Sequence, residues 1–244
     1  MKNITNTLFV CSAFAGFSFT TAQAGVISYT KVTNDADSGI SSDNTYTHAL
    51  DFQRRGTGAS INGVDFTSWS GTGGNFEAIA SGDNRPVFSN DGSGVITTTG
   101  NLSDLMQGMV FYAVNTLSTL TYTLSGLTEG ETYDLRIYTH AWAEDYTREV
   151  TLTFDVGGAN VSPGLIDEDD ATSVGMANWD DSYYINYRYT ASSETLVFSA
   201  AGAVVNDNWH LYGLTNQVAV PEPGTYALIG GLLALSYVMV RRRR

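Results

Sequence analysis

Apolar and polar residues alternate with a period of two through much of the middle of this chain. The alternation is clearest in residues 120–124, 133–137, 150–156 and 185–189. In a β-strand successive side chains point to opposite faces, so this pattern predicts strands with one buried face. Counting weaker segments, we expect about ten to twelve short strands and no long helix in the body of the chain. The sequence therefore favours an all-β fold, a single jelly-roll-like β-sandwich, with a closed barrel as the alternative.

Three local signals refine this expectation. Two alternating segments flank the turn at residues 126–130, which predicts an antiparallel hairpin over residues 119–138. That hairpin resembles those of galactose-binding-like and fibronectin-like sandwiches. The dipeptide Asn62-Gly63 predicts a tight turn. Residues 101–106 predict one helical turn capped by Asn101 or Ser103.

The first 24 residues have the composition of a secretory signal peptide. Lys2 provides a positive start, residues 8–19 are mostly apolar, and Ala22-Gln23-Ala24 fits the small-x-small cleavage rule. We expect signal peptidase to remove residues 1–24. Cys11 lies in the middle of the apolar segment, not at the cleavage point, which argues against a lipid anchor. It is the only cysteine of the chain, so residues 25–218 form no disulfide.

The charge balance excludes a nucleic-acid-binding role. The chain has 25 acidic and 12 basic residues, with a formal net charge of −13 at pH 7. Both ends of the chain are basic, so the body is more acidic still. A nucleic-acid surface requires the opposite sign. The body, residues 25–218, is long enough for one β-sandwich domain with a hydrophobic core.

Residues 219–244 form a tail of a different composition. Two prolines restrict the backbone before an uncharged apolar stretch. A helix over about residues 225–240 is near the lower limit of roughly 17 residues for a membrane-spanning helix. Four arginines then follow, which are Arg241, Arg242, Arg243 and Arg244. Cationic residues beside a span stay in the cytoplasm, so we predict a transmembrane helix that holds the body outside. An ordinary tail anchor and a buried C-terminal helix are the alternatives.

The order Pro-Glu-Pro, short apolar span and arginine cluster resembles the PEP-CTERM sorting signal of exported bacterial proteins. The resemblance covers residues 220–244 and implies that Pro221, Glu222 and Pro223 are recognised by exosortase, a membrane transpeptidase-like enzyme. It implies export across the inner membrane, membrane anchoring that is at least transient, and a final location in the cell envelope or outside the cell. Because hosts of this family mostly make exopolysaccharide, polysaccharide is an expected partner.

Two segments that combine aromatic and acidic residues are candidates for ligand binding. Trp142 precedes Glu144 and Asp145, and Trp179 precedes Asp180, in loops between predicted strands. Aromatic rings pack against the apolar faces of sugars, while carboxylates accept hydrogen bonds from sugar hydroxyls. These five residues therefore form the predicted polysaccharide site. The alternative is that each tryptophan is packed at the edge of the core.

The most acidic stretch of the body contains Asp167, Asp169 and Asp170. Such a cluster repels itself unless it is solvated or bound to a cation. Calcium takes several carboxylate oxygens and suits an exported protein with acidic loops. Calcium is therefore a candidate cofactor at these three residues, with a solvated acidic loop as the alternative.

The sequence contains none of the common catalytic motifs that we sought. It has no Gly-x-Ser-x-Gly and no His-Glu-x-x-His motif. The spacing of His48, His140 and His210 gives no support to a zinc site, so we expect structural histidines. These observations favour a non-enzymatic protein that contacts polysaccharide or another matrix component. A secreted carbohydrate hydrolase with two catalytic carboxylates and a purely structural surface protein are the alternatives.

Overall fold

The computed structural model describes residues 25–53, 58–69, 75–80, 87–89, 95–111, 119–144, 146–205, 207, 209–220 and 223–242. Within these residues there are fifteen strands, one short and one long α-helix, and one 3-10 helix. The strands are β1 (Val26–Lys31), β2 (Tyr46–Asp51), β3 (Ser60–Ile61), β4 (Val64–Asp65), β5 (Thr67–Ser68), β6 (Phe76–Ala80), β7 (Val87–Ser89), β8 (Met109–Phe111), β9 (Thr119–Ser125), β10 (Thr132–Thr139), β11 (Glu149–Val156), β12 (Ala159–Asp167), β13 (Tyr183–Thr190), β14 (Thr195–Gly202) and β15 (Gly213–Val218). The helices are α1 (Leu102–Leu105), the 3-10 helix (Ala171–Val174) and α2 (Pro223–Arg242).

Most of the strands form two sheets that pack as a sandwich. The six-stranded sheet has the order β1-β13-β10-β15-β2-β5, and the five-stranded sheet has the order β12-β11-β14-β9-β6. All neighbours in both sheets are antiparallel except β2 and β5. The prediction of an all-β sandwich body is therefore confirmed. The short pairs β3–β4 and β7–β8 account for strands beyond the predicted number.

Every second residue of the five strands β9, β10, β11, β13 and β14 fills the space between the two sheets. In β9, Leu120, Tyr122 and Leu124 are buried while the residues between them are half-buried. Rings join the sheets directly, since the centroids of Phe154 on β11 and Tyr187 on β13 lie 4.2 Å apart. The period-two pattern therefore identified the buried faces of these strands.

The predicted hairpin over residues 119–138 is wrong. Strand β9 belongs to the five-stranded sheet and pairs with β14 and β6. Strand β10 belongs to the six-stranded sheet and pairs with β13 and β15. The turn at residues 126–130 therefore carries the chain across the sandwich. Alternation identifies a half-buried strand, but it does not identify the sheet in which the strand finds its partners.

A second apolar layer covers part of the outer face of the six-stranded sheet. Ile137 belongs to the core between the sheets, whereas the next residue of β10, Tyr138, belongs to this second cluster. Helix α1 contributes Leu102 and Leu105. The predicted helical turn is confirmed, but its start is capped by Asp35, whose Oδ1 accepts a hydrogen bond from the Leu102 amide at 2.7 Å. The Asn101 side chain makes no capping hydrogen bond.

The Asn62-Gly63 turn joins β3 to β4, as the dipeptide predicts. Both residues have positive φ, 50° and 79°. Two left-handed residues in succession match the twist of antiparallel strands, and asparagine and glycine tolerate this conformation best.

The two ends of the six-stranded sheet are distinct. We call the end at which the chain leaves toward α2 the exit end, and the opposite end the cleft end, because a cleft opens there. At the exit end, Thr132 lies opposite Thr190, and Tyr133 lies opposite Val218. The chain leaves the sandwich there toward α2, and the Ala219 amide still donates to the Thr132 carbonyl at 2.8 Å. At the cleft end, Thr139 lies opposite Tyr183.

The tail contains the 20-residue helix α2, which ends with Arg241 and Arg242. Side chains in residues 230–242 are exposed. Across the described part of the chain, no helix combines the length and hydropathy required to cross a membrane. The membrane span predicted for residues 225–240 stays a prediction. Pro221, Glu222, Arg243, Arg244 and the predicted signal peptide lie outside the described residues.

Candidate functional site

A cleft of about 650 Å³ opens at the end of the sandwich opposite the exit end. Its walls come from the loop after β10, the end of β12, the 3-10 helix and the loop before β13. The lining residues are Glu144, Tyr146, Thr147, Asp167, Asp169, Asp170, Thr172, Ala177, Asn178, Trp179 and Asp180. This volume is within the usual range for ligand sites, about 300–1,000 Å³.

The fold brings most of the predicted site residues together in this cleft. The cleft is lined by three of the residues predicted to bind sugar, which are Glu144, Trp179 and Asp180. The three aspartates predicted to bind calcium line the same cleft. The Trp142 ring does not line the cleft and packs against His210 instead, with 5.2 Å between ring centroids. Asp145 lies outside the described residues. The binding roles of all these residues stay predictions.

The aspartates hold the cleft loops in place. Asp167 Oδ1 accepts hydrogen bonds from the amides of Arg148 and Asp169, at 2.9 and 3.0 Å. Asp169 Oδ1 accepts one from the Trp142 amide at 2.6 Å. Asp170 Oδ1 accepts one from the Thr172 amide at 2.9 Å and so caps the 3-10 helix. Asp167 and Asp169 therefore connect the end of β12 to the loop between β10 and β11, whereas Asp170 acts locally.

The described residues contain no group of three or more His, Cys, Asp or Glu side chains that is arranged to hold a metal ion. Calcium at Asp167, Asp169 and Asp170 stays a prediction. The three histidines are each buried and bonded to protein groups. His140, for example, lies between the carbonyl oxygens of Ala141 and Met106, at 2.8 and 3.0 Å.

A buried network lies directly beneath the cleft. Glu168 is fully buried and accepts hydrogen bonds from Thr139 Oγ1 at 2.9 Å and from the His210 amide at 3.1 Å. Arg148 Nε lies 3.2 Å from Asp169 Oδ2, and its Nη1 lies 3.1 Å from His210 Nε2. The acidic stretch was expected to be solvated or bound to a cation. Instead, two of its carboxylates are buried against a guanidinium and an imidazole.

Both ring nitrogens of His210 have polar neighbours. Arg148 Nη1 lies 3.1 Å from Nε2 and 3.3 Å from Nδ1, and Nδ1 also lies 3.1 Å from Glu168 Oε2. Burial and, to a smaller extent, the Arg148 charge lower the pKa of His210 to about 3 against the opposing charge of Asp169, so the ring stays neutral. Burial raises the pKa of Glu168 to about 8, although Arg148 opposes this rise.

Sequence reasoning missed this network because its members are far apart in the chain. His210 lies 42 residues after Glu168. The one local signal was Arg148, a rare basic residue in an acidic body. Its guanidinium carbon lies 5.7 Å from the centroid of the Trp142 ring and 5.5 Å from that of Tyr146. Arg148 thus connects the buried network to an aromatic wall of the cleft.

Two of the four tryptophans belong to the core and not to a site. Trp69 is buried and packs edge-on against Phe76, with 5.0 Å between centroids. Trp209 is also buried. Trp142 and Trp179 are half-buried. Packing therefore explains two tryptophans, and Trp179 is the one that faces the cleft.

The cleft wall is strongly acidic. Five of its residues carry carboxylates, and none of the lining residues is basic. Among the described residues, no group donates a hydrogen bond to the side chain of Glu144 or Asp180, and Glu144 is exposed. These two carboxylates are available to a ligand.

The sandwich is similar to known extracellular domains. A plant receptor-like kinase, ANX2, aligns at 11% identity over 72% of this chain and 48% of its own, with a TM-score of 0.50. The ANXUR2 extracellular domain from Arabidopsis thaliana aligns at 10% identity over 72% and 49%, also with a TM-score of 0.50. The chain spans about half the length of these plant structures. At this identity the likeness shows the fold alone.

A third structure, TmCBM61 in complex with β-1,4-galactotriose, aligns at 10% identity over 59% of this chain and 88% of its own, with a TM-score of 0.37. No curated protein matches the sequence significantly. The tail does match a protein-family description. Residues 219–244 are a PEP-CTERM protein-sorting motif, which indicates an exported protein that exosortase sorts to the cell envelope or extracellular space.

Proposed function

We propose that this exported protein binds polysaccharide of the envelope or extracellular matrix, without cleaving it, through the cleft at the cleft end of its sandwich. The observation that carries the proposal is the composition of the cleft. Trp179 and Tyr146 offer aromatic surface, and Asn178, Glu144 and Asp180 offer polar groups, around a volume of about 650 Å³. Most of the lining residues are polar or acidic, and the two aromatic residues add apolar surface against which a sugar ring can pack.

Binding of a sugar requires both kinds of group. The C–H faces of a pyranose ring pack on aromatic rings, and this packing releases water from both apolar surfaces. Carboxylate and amide oxygens accept hydrogen bonds from the hydroxyl groups. The cleft is open at the surface, as a site for part of a long polymer has to be.

A hydrolase is the second candidate function, because the cleft contains several carboxylates. Glycoside cleavage requires two of them on opposite sides of the bond, about 5–5.5 Å apart in retaining enzymes and about 6.5–9.5 Å apart in inverting ones. Asp167, Asp169 and Asp170 each hold a backbone amide instead. A binding role requires no such pair, which favours it over catalysis. A purely structural surface protein would leave the cleft without a ligand.

The proposal includes the route to the surface. Signal peptidase removes residues 1–24, and the apolar stretch within α2 spans the membrane at least transiently, with the arginine cluster in the cytoplasm. Arg241 and Arg242 at the end of the helix support this orientation. The alternation of successive strands from β9 to β11 between the two sheets supports the jelly-roll type of sandwich.

The test is a binding assay on the full chain in neutral detergent, against a glycan array and polysaccharide from the host, with analysis of any sugar released. We expect saturable binding without cleavage. Trp179→Ala should weaken it about tenfold or more, because burial of a large aromatic side chain is worth roughly 1.5–3 kcal/mol. Ile79→Ala is the matched control, since Ile79 is 55% exposed on β6 of the other sheet.

The outcomes separate the candidates. If Trp179→Ala binds polysaccharide as tightly as the wild type, the binding site lies outside the cleft. Release of sugar by wild type would replace the binding role with the hydrolase. No binding to any glycan would favour the purely structural protein.

A further inference from the structure

We infer that the cleft selects saccharides that carry free amino groups over neutral ones, and neutral ones over those that carry carboxylates. This inference rests on the proposed function and names the ligand class of the same site. It follows from the charge of the cleft wall, from the aromatic groups within that wall, and from one buried carboxylate oxygen.

The charge of the wall is the first observation. Glu144, Asp167, Asp169, Asp170 and Asp180 line the cleft, and no lysine or arginine is among the lining residues. Arg148, which lies beneath, has only 12% of its side chain exposed and is paired with Asp169. One of the five carboxylates is therefore neutralised and the others are not. A cleft with walls of one sign concentrates ligands of the opposite sign.

The aromatic groups are the second observation. Trp179 and Tyr146 share the cleft with Asp180 and Glu144. A carboxylate beside an aromatic face is the combination that binds an ammonium group, through an ion pair and a cation–π contact. A neutral hydroxyl uses only the hydrogen bond, and a uronate carboxylate is repelled by every charged group in the wall.

The third observation is that Asp169 Oδ2 lacks a hydrogen-bond donor. The Asp169 side chain lines the cleft and is fully buried, and its Oδ2 accepts no hydrogen bond from the described residues. Arg148 Nε lies 3.2 Å away but compensates only its charge. Buried carboxylate oxygens are normally saturated with donors. An ammonium group has three N–H donors to offer at such a wall.

Glu144 and Asp180 are the residues that would discriminate between ligands. Their carboxylates have no donor among the described residues, unlike those of Asp167 and Asp170, which hold the loops. Replacing them by amides removes the charge and keeps the shape, while one accepting oxygen of each group becomes a donating NH2. The loops of the cleft should therefore stay in place.

The experiment compares three ligands of equal length by calorimetry on the full chain in neutral detergent. They are β-1,4-linked oligomers of glucosamine, β-1,4-linked oligomers of N-acetylglucosamine and oligomers of galacturonic acid. At low salt we expect glucosamine oligomers to bind at least about tenfold more tightly than the acetylated ones, and galacturonate oligomers not to bind. The difference should shrink severalfold at 0.5 M salt, because exposed charges are screened.

Variants test which carboxylates cause the preference for glucosamine oligomers. The double variant Glu144→Gln, Asp180→Asn should lose the preference for glucosamine, because its affinity for glucosamine oligomers falls by much more than its affinity for N-acetylglucosamine oligomers. Glu77→Gln removes an exposed carboxylate from β6 and should leave both unchanged. Spermidine, a cation without a sugar ring, should not compete at equal concentration.

Each outcome bears on a different claim. Equal affinity for acetylated and free amino sugars would overturn this inference and leave the proposed function intact. A preference for glucosamine that persists in the double variant, or that spermidine abolishes, would also overturn this inference. It would show that cations are attracted generally to an acidic protein and not to these two carboxylates. Failure of wild type to bind any saccharide would overturn the proposed function together with this inference.

Discussion

Glu168 and His210 lie side by side in the interior, and burial shifts their pKa values in opposite directions. The pKa of Glu168 rises from 4.5 to about 8, so between these values the folded protein holds a proton that the unfolded chain releases. Stability therefore falls as pH rises through this range. The pKa values of His210 and His140 fall from 6.5 to about 3 and about 4, so stability rises with pH up to about 6.5.

The raised pKa of Glu168 predicts that the free energy of unfolding decreases from about pH 6.5 toward pH 8, whereas below that range the two histidines are opposed by Glu168 and by Asp51, whose pKa burial raises to about 6. Each such group changes it by at most about 1.4 kcal/mol per pH unit. Denaturant unfolding at pH 5, 6.5 and 8 measures the curve. Glu168→Gln removes the titrating group and should flatten the limb above pH 6.5. A wild-type protein that gains stability between pH 6.5 and 8 would contradict the assignment of a protonated, buried Glu168.

Asp167, Asp169 and Asp170 lead to a second residue-scale prediction. Each already accepts a backbone hydrogen bond through Oδ1. If these hydrogen bonds are the whole role of the three side chains, EDTA should change the melting temperature by less than about 2 °C, which for a domain of this size corresponds to under roughly 1 kcal/mol. Melting curves with EDTA, with added calcium and with magnesium as control measure this. A fall of several degrees that calcium reverses would show that these residues hold the ion.

At the scale of elements, the sequence predicted strands better than it predicted their partners. The alternating segments of β9, β11 and β13 are strands with the one buried face expected, whereas β10 is a strand that is buried on both faces over most of its length. The pairing of β9 with β10 failed, because a turn of five residues can either close a hairpin or cross between sheets. Pairing is decided by long-range packing, which local periodicity does not report.

The site was predicted in pieces. The sequence indicates three separate features, which are Trp179 with Asp180, Glu144, and the aspartates of residues 167–170. The fold places all three in one cleft. What no local pattern indicated is that Glu168 is fully buried and contacts His210, while its neighbour Asp169 is buried against Arg148. The orientation of Glu168 depends on residues that only the folded chain brings near.

The tail is the element that determines sorting. Replacing Pro221, Glu222 and Pro223 by alanine should abolish processing in the native host, because the recognition motif of the PEP-CTERM tail is removed. The unprocessed, larger form should then accumulate on an immunoblot of the membrane fraction. Ser236→Ala within α2 is the control and should be processed normally. Normal processing of the alanine variant would refute the assignment.

At the scale of the whole molecule, the cleft and the tail lie at opposite ends of the six-stranded sheet. The chain leaves at Val218, opposite Tyr133, and the cleft is built on the loop that follows Thr139. Strand β10 runs between the two ends, a span of roughly 23 Å at the rise of a β-strand. A body held by its tail therefore presents the cleft away from the point of attachment.

Strand β15 leads to a prediction about the fold as a unit. It lies between β10 and β2 and pairs with both. Residues 25–212, which lack β15, should show no cooperative unfolding transition, whereas residues 25–220 should unfold cooperatively. Circular dichroism during thermal melting compares the two. A cooperative transition in the shorter chain would mean that the sheet closes without its central strand.

The position of β15 also orders events in time. In an exported chain the residues emerge from the N-terminal end onward, and the six-stranded sheet stays divided, with β2 separated from β10, until residues 213–218 arrive. The sorting motif begins immediately afterwards, at residue 219. The six-stranded sheet therefore cannot be completed before residue 218 has been exported, immediately ahead of the sorting motif.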